Sequence, residues 1–111
     1  MFKVFFCGAM LLFSALASAA DTMAATVKME PKKVGAHSYY VQGAAGQASS
    51  ENQGFMSNAG FVVTNAGVVV FDTLGTPPLA DALIKAIGKV TSQPIKRVIV
   101  SHYHADHVYG L

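Results

Sequence analysis

The last part of the chain carries a dense cluster of side chains that can bind a metal ion. Three of the four histidines and an aspartate fall at His102, His104, Asp106 and His107. Imidazole nitrogen and carboxylate oxygen are donors that zinc accepts when no thiolate is available. The spacing therefore predicts a metal site built from these four residues.

The residues before this cluster predict a unit that positions it. Residues 61–63 and 68–71 are β-branched and aromatic runs joined by a turn composition at 64–67, which indicates a hairpin. Thr76 can cap a helix over residues 77–89, in which apolar side chains recur at helical spacing. Residues 95–100 end in a run of three apolar residues, typical of a strand covered on both faces. Strand, helix and strand in this order predict a right-handed crossover between parallel neighbours.

This topology brings one more acidic residue to the cluster. Asp72 ends the strand before the helix, and His102 follows the strand after it. Since open α/β sheets gather ligands at the carboxyl ends of parallel strands, we expect Asp72 to orient a metal ligand or a loop by hydrogen bonding. The alternative is that Asp72 only ends its strand and caps the next turn.

The residues upstream predict further strands and one long loop. Val27 and Met29 alternate with polar residues, as in a half-exposed strand, and residues 38–41 are read as a second strand. Lys32 and Lys33 are interpreted as a solvated strand edge. Residues 42–54 are rich in Gly, Ala, Ser, Gln and Asn, which predicts a long loop, and loops of this length are usually either functional or disordered.

The N-terminus is interpreted as a secretory signal peptide over residues 1–19. Lys3 supplies the positive region, residues 4–16 are apolar, and small residues at 17–19 suit cleavage near Ala19. The alternative is a buried N-terminal helix. Cys7, the only cysteine, lies inside this segment, so the mature chain, residues 20–111, is expected to lack thiols and Cys-based zinc sites. We expect a secreted or periplasmic protein.

The charge and composition of the chain argue against one class of binding partner. The net charge is +2, only 13% of residues are charged, and no basic stripe is present, which argues against nucleic acid as a partner. The apolar content of 52% favours a packed domain over disorder. We expect no membrane attachment once the signal peptide is removed.

The motif His102-x-His104-x-Asp106-His107-x-x-Gly110 resembles that of the metallo-β-lactamase fold hydrolases, in their N-terminal half. Residues 58–64 and the step from Asp72 to Thr73 are similar to that superfamily as well, so the resemblance covers most of residues 26–111. It implies the α/β class and the N-terminal half of an αββα sandwich, with a mixed sheet and one βαβ crossover. The domain would then be truncated after the motif.

The resemblance also implies roles for the cluster. Residues matching His102 and His104 bind one zinc with a later histidine, and those matching Asp106 and His107 bind a second with another later histidine. Asp106 would hold metal and orient the attacking water or manage its proton. The implied activity is zinc-dependent hydrolysis of an ester, thioester, lactone or lactam, with two zinc ions per complete domain. Iron stays an alternative metal, because sulfur dioxygenases share the motif.

Two other functional classes stay open beside the hydrolase. The chain could be an exported metal carrier that uses only the histidine cluster, or a non-catalytic metal-binding fragment. Because the later ligands are absent from the sequence, we expect residues 20–111 alone to bind at most one zinc weakly and not to be a competent enzyme, although the parent protein is one.

Overall fold

The structure is a computed structural model that describes residues 23–111. The signal peptide interpreted from residues 1–19 lies outside the described residues. Within the described range the chain forms five strands and two helices: β1 (Lys32–Lys33), β2 (Ser38–Val41), β3 (Ala59–Thr64), β4 (Gly67–Phe71), α1 (Pro77–Val90), β5 (Ile95–Ile99) and α2 (Ala105–Val108). None of the helices over residues 23–111 is long and apolar enough to cross a membrane.

The strands form one mixed sheet in the order β1-β2-β3-β4-β5. The first four strands pair antiparallel, and β5 lies parallel to β4. A parallel pair needs a crossover connection, which α1 supplies. The sheet with its single βαβ crossover confirms the α/β class and fits a partial metallo-β-lactamase sandwich.

The hairpin predicted from residues 61–71 is formed by β3 and β4. Phe61 faces Val70 across the pair, and Thr64 faces Gly67 at the turn. Gly67 has φ 125°, and a Cβ there would lie 2.7 Å from the carbonyl oxygen of Pro94. Glycine is therefore required at this position both by the backbone conformation and by the close approach of the segment that leads into β5.

Helix α1 begins and ends close to its predicted bounds. Thr76 is the N-cap and accepts a hydrogen bond from the Leu79 N–H, and Pro77 occupies the first helical position. The predicted apolar face is buried at Leu79, Leu83, Ala86 and Ile87, within the same core as Phe61, Val68 and Val70. Each fully buried large side chain contributes about 1.5–3 kcal/mol, so this face anchors the crossover to the sheet.

Two expectations about strands are wrong. Val27 to Glu30 form no strand: Met29 is buried in the core, but the segment has no paired partner, and pairing begins only at Lys32. Strand β5 is not covered on both faces, since Val98 and Ile99 are 42% and 46% exposed. It is an edge strand that pairs with β4 alone, and residues 23–111 supply no second layer over it. The solvated edge expected at Lys32 and Lys33 is confirmed, since both are exposed in edge strand β1.

Candidate metal centre

The carboxyl ends of β4 and β5 meet at one edge of the sheet. The N–H of Asp72, the residue after β4, donates to the carbonyl of Ile99 at the end of β5, at 2.9 Å. The segment that leaves β5 carries Ser101 and the histidine cluster. The parallel pairing therefore places Asp72 beside these residues, although they are about thirty positions apart in sequence.

The Asp72 carboxylate connects the two segments. Oδ1 accepts from the Ser101 N–H at 2.7 Å, and Oδ2 accepts from the Ser101 hydroxyl at 2.8 Å. Oδ2 also lies 2.8 Å from Nδ1 of His107. Asp72 is buried, with 7% of its surface exposed, and has φ 62°, a left-handed conformation that aspartate tolerates better than most residues. Its position is thus fixed by the backbone and by three hydrogen bonds.

These contacts keep Asp72 ionised. Burial alone raises the pKa of the Asp72 carboxyl, but hydrogen bonds from the Ser101 backbone, His107 and the Ser101 hydroxyl, together with the charge of His107 when protonated, outweigh it and hold the pKa below its ordinary value. An ionised carboxylate only accepts hydrogen bonds. The site is therefore built around a fixed negative charge beneath the histidines.

The bond to Asp72 decides which nitrogen of His107 can bind metal. Because the carboxylate only accepts, Nδ1 of His107 carries the hydrogen, and the lone pair of the neutral ring lies on Nε2. That Nε2 lies 3.6 Å from Oδ2 of Asp106. Two ligands of one tetrahedral zinc are separated by about 3.3–3.4 Å, as follows from zinc–ligand bonds of about 2.0–2.1 Å. Asp106 and His107 therefore form a donor pair of suitable spacing.

His102 and His104 form a second donor pair. Nε2 of His102 lies 3.1 Å from Nδ1 of His104, close to the separation that one tetrahedral zinc requires. The rings of His102 and His107 lie with their centroids 4.2 Å apart, so the two pairs are adjacent. Both residues of the second pair are exposed to solvent, whereas Asp106 and His107 are partly buried.

Each of the two donor pairs has the atom types and the spacing of two ligands of one metal ion. Zinc sites in proteins use three or four protein ligands. Among residues 23–111, no group of three or more His, Cys, Asp or Glu side chains is arranged to hold a single ion. The described residues thus supply two half-sites. The assignment of His102, His104, Asp106 and His107 as metal ligands, and of Asp106 as the catalytic residue, stays a prediction.

Two buried hydroxyl groups brace the turn that carries Asp106 and His107. This turn is α2, a single helical turn that the sequence did not predict. The Ser57 hydroxyl donates to the carbonyl of Asp106, and the N–H and hydroxyl of Thr73 donate to the carbonyl of His107 at 2.8 and 3.3 Å. The carbonyls at the end of a helix have no partner within it, so these donors satisfy groups that would otherwise be buried unpaired. Ser57 was missed because it lies 49 residues from Asp106 and has no local pattern that marks it.

Comparison with known proteins shows the family of the chain. The sequence profile of the metallo-beta-lactamase superfamily matches residues 52–111. The chain belongs to the metallo-beta-lactamase superfamily. The match runs from the loop before β3 to the end of the histidine cluster, so it includes every predicted site residue. Membership supports a metallohydrolase-like function in general, with zinc or another metal as cofactor. No curated protein matches the chain.

The glycine of the superfamily motif has a structural reason in this chain. Gly110 donates its N–H to the carbonyl of Leu74 at 3.1 Å. A Cβ at this position would overlap the carbonyl oxygen of Thr73 and lie 2.8 Å from Cβ of Ala80. The end of the segment that carries the histidine cluster can therefore pack against the loop after β4 only if residue 110 has no side chain.

We expect Gly110→Ala to lower the free energy of unfolding by about 1–3 kcal/mol, because the added methyl overpacks this contact. Urea or guanidinium denaturation measures the change. Gly88→Ala is the matched control: nothing lies within 4 Å of a Cβ at Gly88 in α1, and alanine there should stabilise the chain by about 0.5–1 kcal/mol. Equal stabilities of the two variants would contradict the close approach at Gly110.

Proposed function

We propose that the chain forms the metal-binding edge of a zinc-dependent hydrolase in which water attacks an ester, thioester, lactone or lactam. The observation that carries this proposal is the presence of two adjacent donor pairs, each spaced for one tetrahedral ion, at the carboxyl ends of a parallel strand pair. Superfamily membership supports the same class of chemistry. We also propose that the protein acts on a small-molecule substrate.

Each of the two donor pairs has its own role in this proposal. Nε2 of His102 and Nδ1 of His104 would hold one ion, and Nε2 of His107 and the carboxylate of Asp106 would hold the other. When bound, two such ions lower the pKa of water towards neutrality and polarise the oxygen of the bond under attack. The Asp106 carboxylate is partly exposed, so it can accept a hydrogen bond from the attacking water and receive its proton. His102 and His104 are exposed, which leaves this side of the site open to substrate.

The protein should bind zinc and hydrolyse at least one substrate class in a zinc-dependent manner. A panel of esters, thioesters, lactones and lactams is assayed after chelation and again after zinc or ferrous iron is restored. Asp106→Asn should lower kcat by roughly 10²- to 10⁴-fold, in the range for loss of a general acid or base. Asp81→Asn, which neutralises an exposed aspartate on α1, is the control and should leave kcat unchanged.

The outcomes separate the functional classes. Zinc binding without hydrolysis of any substrate would contradict the hydrolase and support a metal carrier. Absence of zinc and iron binding would contradict both. Hydrolysis restored by ferrous iron and not by zinc would contradict zinc as the working metal, while the assignment of a metallohydrolase would stand.

A further inference from the structure

The hydroxyl of Ser101 lies between two residues of the site that have no direct hydrogen bond to each other. Its Oγ is 2.8 Å from Oδ2 of Asp72 and 2.8 Å from Nδ1 of His102. The Ser101 N–H independently donates to the other carboxylate oxygen, so the residue is held by Asp72 at two atoms. The side chain of Ser101 is thereby fixed in the segment that joins β5 to the histidine cluster.

The hydrogens in this chain of contacts can be assigned from their partners. The Asp72 carboxylate accepts only, so the hydrogen between it and Ser101 must come from the hydroxyl. That hydroxyl has a single hydrogen, and its oxygen can therefore only accept from His102. Nδ1 of His102 then carries the hydrogen, and the lone pair of the neutral ring lies on Nε2, which accepts from Nδ1 of His104 at 3.1 Å in the metal-free chain. An ion bound between these two nitrogens would take the place of the hydrogen on Nδ1 of His104.

We propose that Ser101 is a positioning residue that selects the Nδ1–H tautomer of His102 and so makes Nε2 the metal donor of that ring. Asp72 then controls one histidine in each donor pair, His107 by direct contact and His102 through Ser101. The tautomer assignment depends only on the hydrogen bonds of the chain. Its consequence for metal binding rests on the proposed function.

The consequence for metal affinity follows from the position of the hydrogen. The nitrogen that carries the hydrogen is set by the bond that the other nitrogen makes. Without the Ser101 oxygen, Nδ1 of His102 loses its acceptor, and the ring is free to carry its hydrogen on Nε2. A nitrogen that carries a hydrogen has no lone pair for a metal, so zinc must compete with the Nε2–H form. Loss of such a supporting hydrogen bond typically lowers metal affinity by roughly 10- to 100-fold.

The test compares Ser101→Ala with Ser101→Thr and Ser49→Ala in the full chain. Threonine keeps the hydroxyl, and Ser49 is an exposed loop serine whose hydroxyl accepts from the Asn52 N–H. Nitrogen-15 NMR of the imidazoles, in metal-free protein at a pH where they are neutral, reports the tautomer. We expect the Nδ1–H form for His102 in the parent, Ser101→Thr and Ser49→Ala proteins, and a shift towards Nε2–H in Ser101→Ala. Chelator competition should show zinc affinity lowered roughly 10- to 100-fold in Ser101→Ala alone.

Three results would overturn the proposal. The first is an Nε2–H form of His102 in the unsubstituted chain, which needs no variant and applies even if Ser101→Ala does not fold. The second is a folded Ser101→Ala protein in which His102 keeps the Nδ1–H form. The third is a tautomer shift that leaves zinc affinity unchanged. The NMR measurement involves neither metal nor substrate, so a failure there is distinct from a failure of the hydrolase assignment.

Discussion

Replacing His102 and His104 together with alanine is expected to release the zinc ion that these two side chains hold, so the zinc bound by the protein should fall by about one ion. The two nitrogens lie 3.1 Å apart, and among residues 23–111 no third His, Cys, Asp or Glu side chain is arranged to hold the same ion. A zinc ion that loses both ligands of this pair is left in an open, weak site, and its binding energy falls accordingly. Elemental analysis after dialysis against a weak chelator measures the zinc retained per chain.

The fourth histidine of the chain provides the control. His37 is exposed in the turn before β2, and its backbone carbonyl accepts from the Val63 N–H. His37→Ala removes an imidazole without touching the cluster, so zinc content should stay at the value of the unsubstituted protein. Unchanged zinc in the His102 and His104 double variant would refute the ligand assignment, and zinc loss in His37→Ala would show that the cluster is not the main site.

The parts of the fold that were predicted correctly have strong local signals. The bounds of α1 follow from Thr76, Pro77 and the helical spacing of buried residues, which act within a few positions of each other. The hairpin follows from two β-branched runs and a turn that needs a glycine at positive φ. Because these signals are local, the sequence carries them without knowledge of the tertiary structure.

The incorrect predictions concern features that are determined by tertiary contacts. The alternation at Val27 and Met29 correctly indicates one buried side, but burial of Met29 does not require a paired strand. The apolar run in β5 suggests two covered faces, but coverage depends on layers that lie elsewhere, and Val98 and Ile99 are exposed in the described part of the chain. The turn α2 has four residues, too few for helical periodicity to be visible.

The candidate site likewise contains residues that local sequence signals predict and contacts that they do not predict. The four proposed ligands were found from spacing within six positions, and Asp72 was found from the rule that parallel strand ends meet. The supports supplied by Ser57 and Thr73 depend on contacts across 49 and 34 residues. No spacing rule reaches Ser57, and the topology places Thr73 at this edge of the sheet without predicting its hydrogen bonds, so these contacts become visible only when the chain is folded.

Substitution of Asp72 by asparagine is expected to lower zinc affinity or activity by roughly 10- to 100-fold, the usual cost of losing a group that orients a metal ligand. Asparagine has nearly the same shape and, like aspartate, tolerates the left-handed backbone found at this residue, φ 62°. The variant therefore tests hydrogen bonding rather than packing. Asp81→Asn on the exposed side of α1 is the matched control for loss of one negative charge.

The chemical reason for the loss is that an amide cannot accept at both of its polar atoms. If the amide nitrogen takes the place of Oδ2, it donates towards Nδ1 of His107 and drives the hydrogen of that ring to Nε2, the nitrogen that we propose binds metal. If it takes the place of Oδ1, it meets the Ser101 N–H, and two donors face each other where a 2.7 Å hydrogen bond existed. Either orientation breaks one of the contacts that position the cluster.

The pH dependence of stability gives a second measurement on the same variant. The pKa of Asp72 is lowered in the folded chain, so its ionised form contributes stability that is fully present above the ordinary carboxyl pKa of about 3.9 and is lost as the pH falls through the lower folded value. Asp72→Asn lacks this contribution at every pH. The difference in unfolding free energy between parent and variant should therefore be largest near neutral pH and shrink below about pH 4. A variant with unaltered zinc affinity and a stability difference that does not change with pH would return Asp72 to the simpler role of ending β4 and capping the turn that follows.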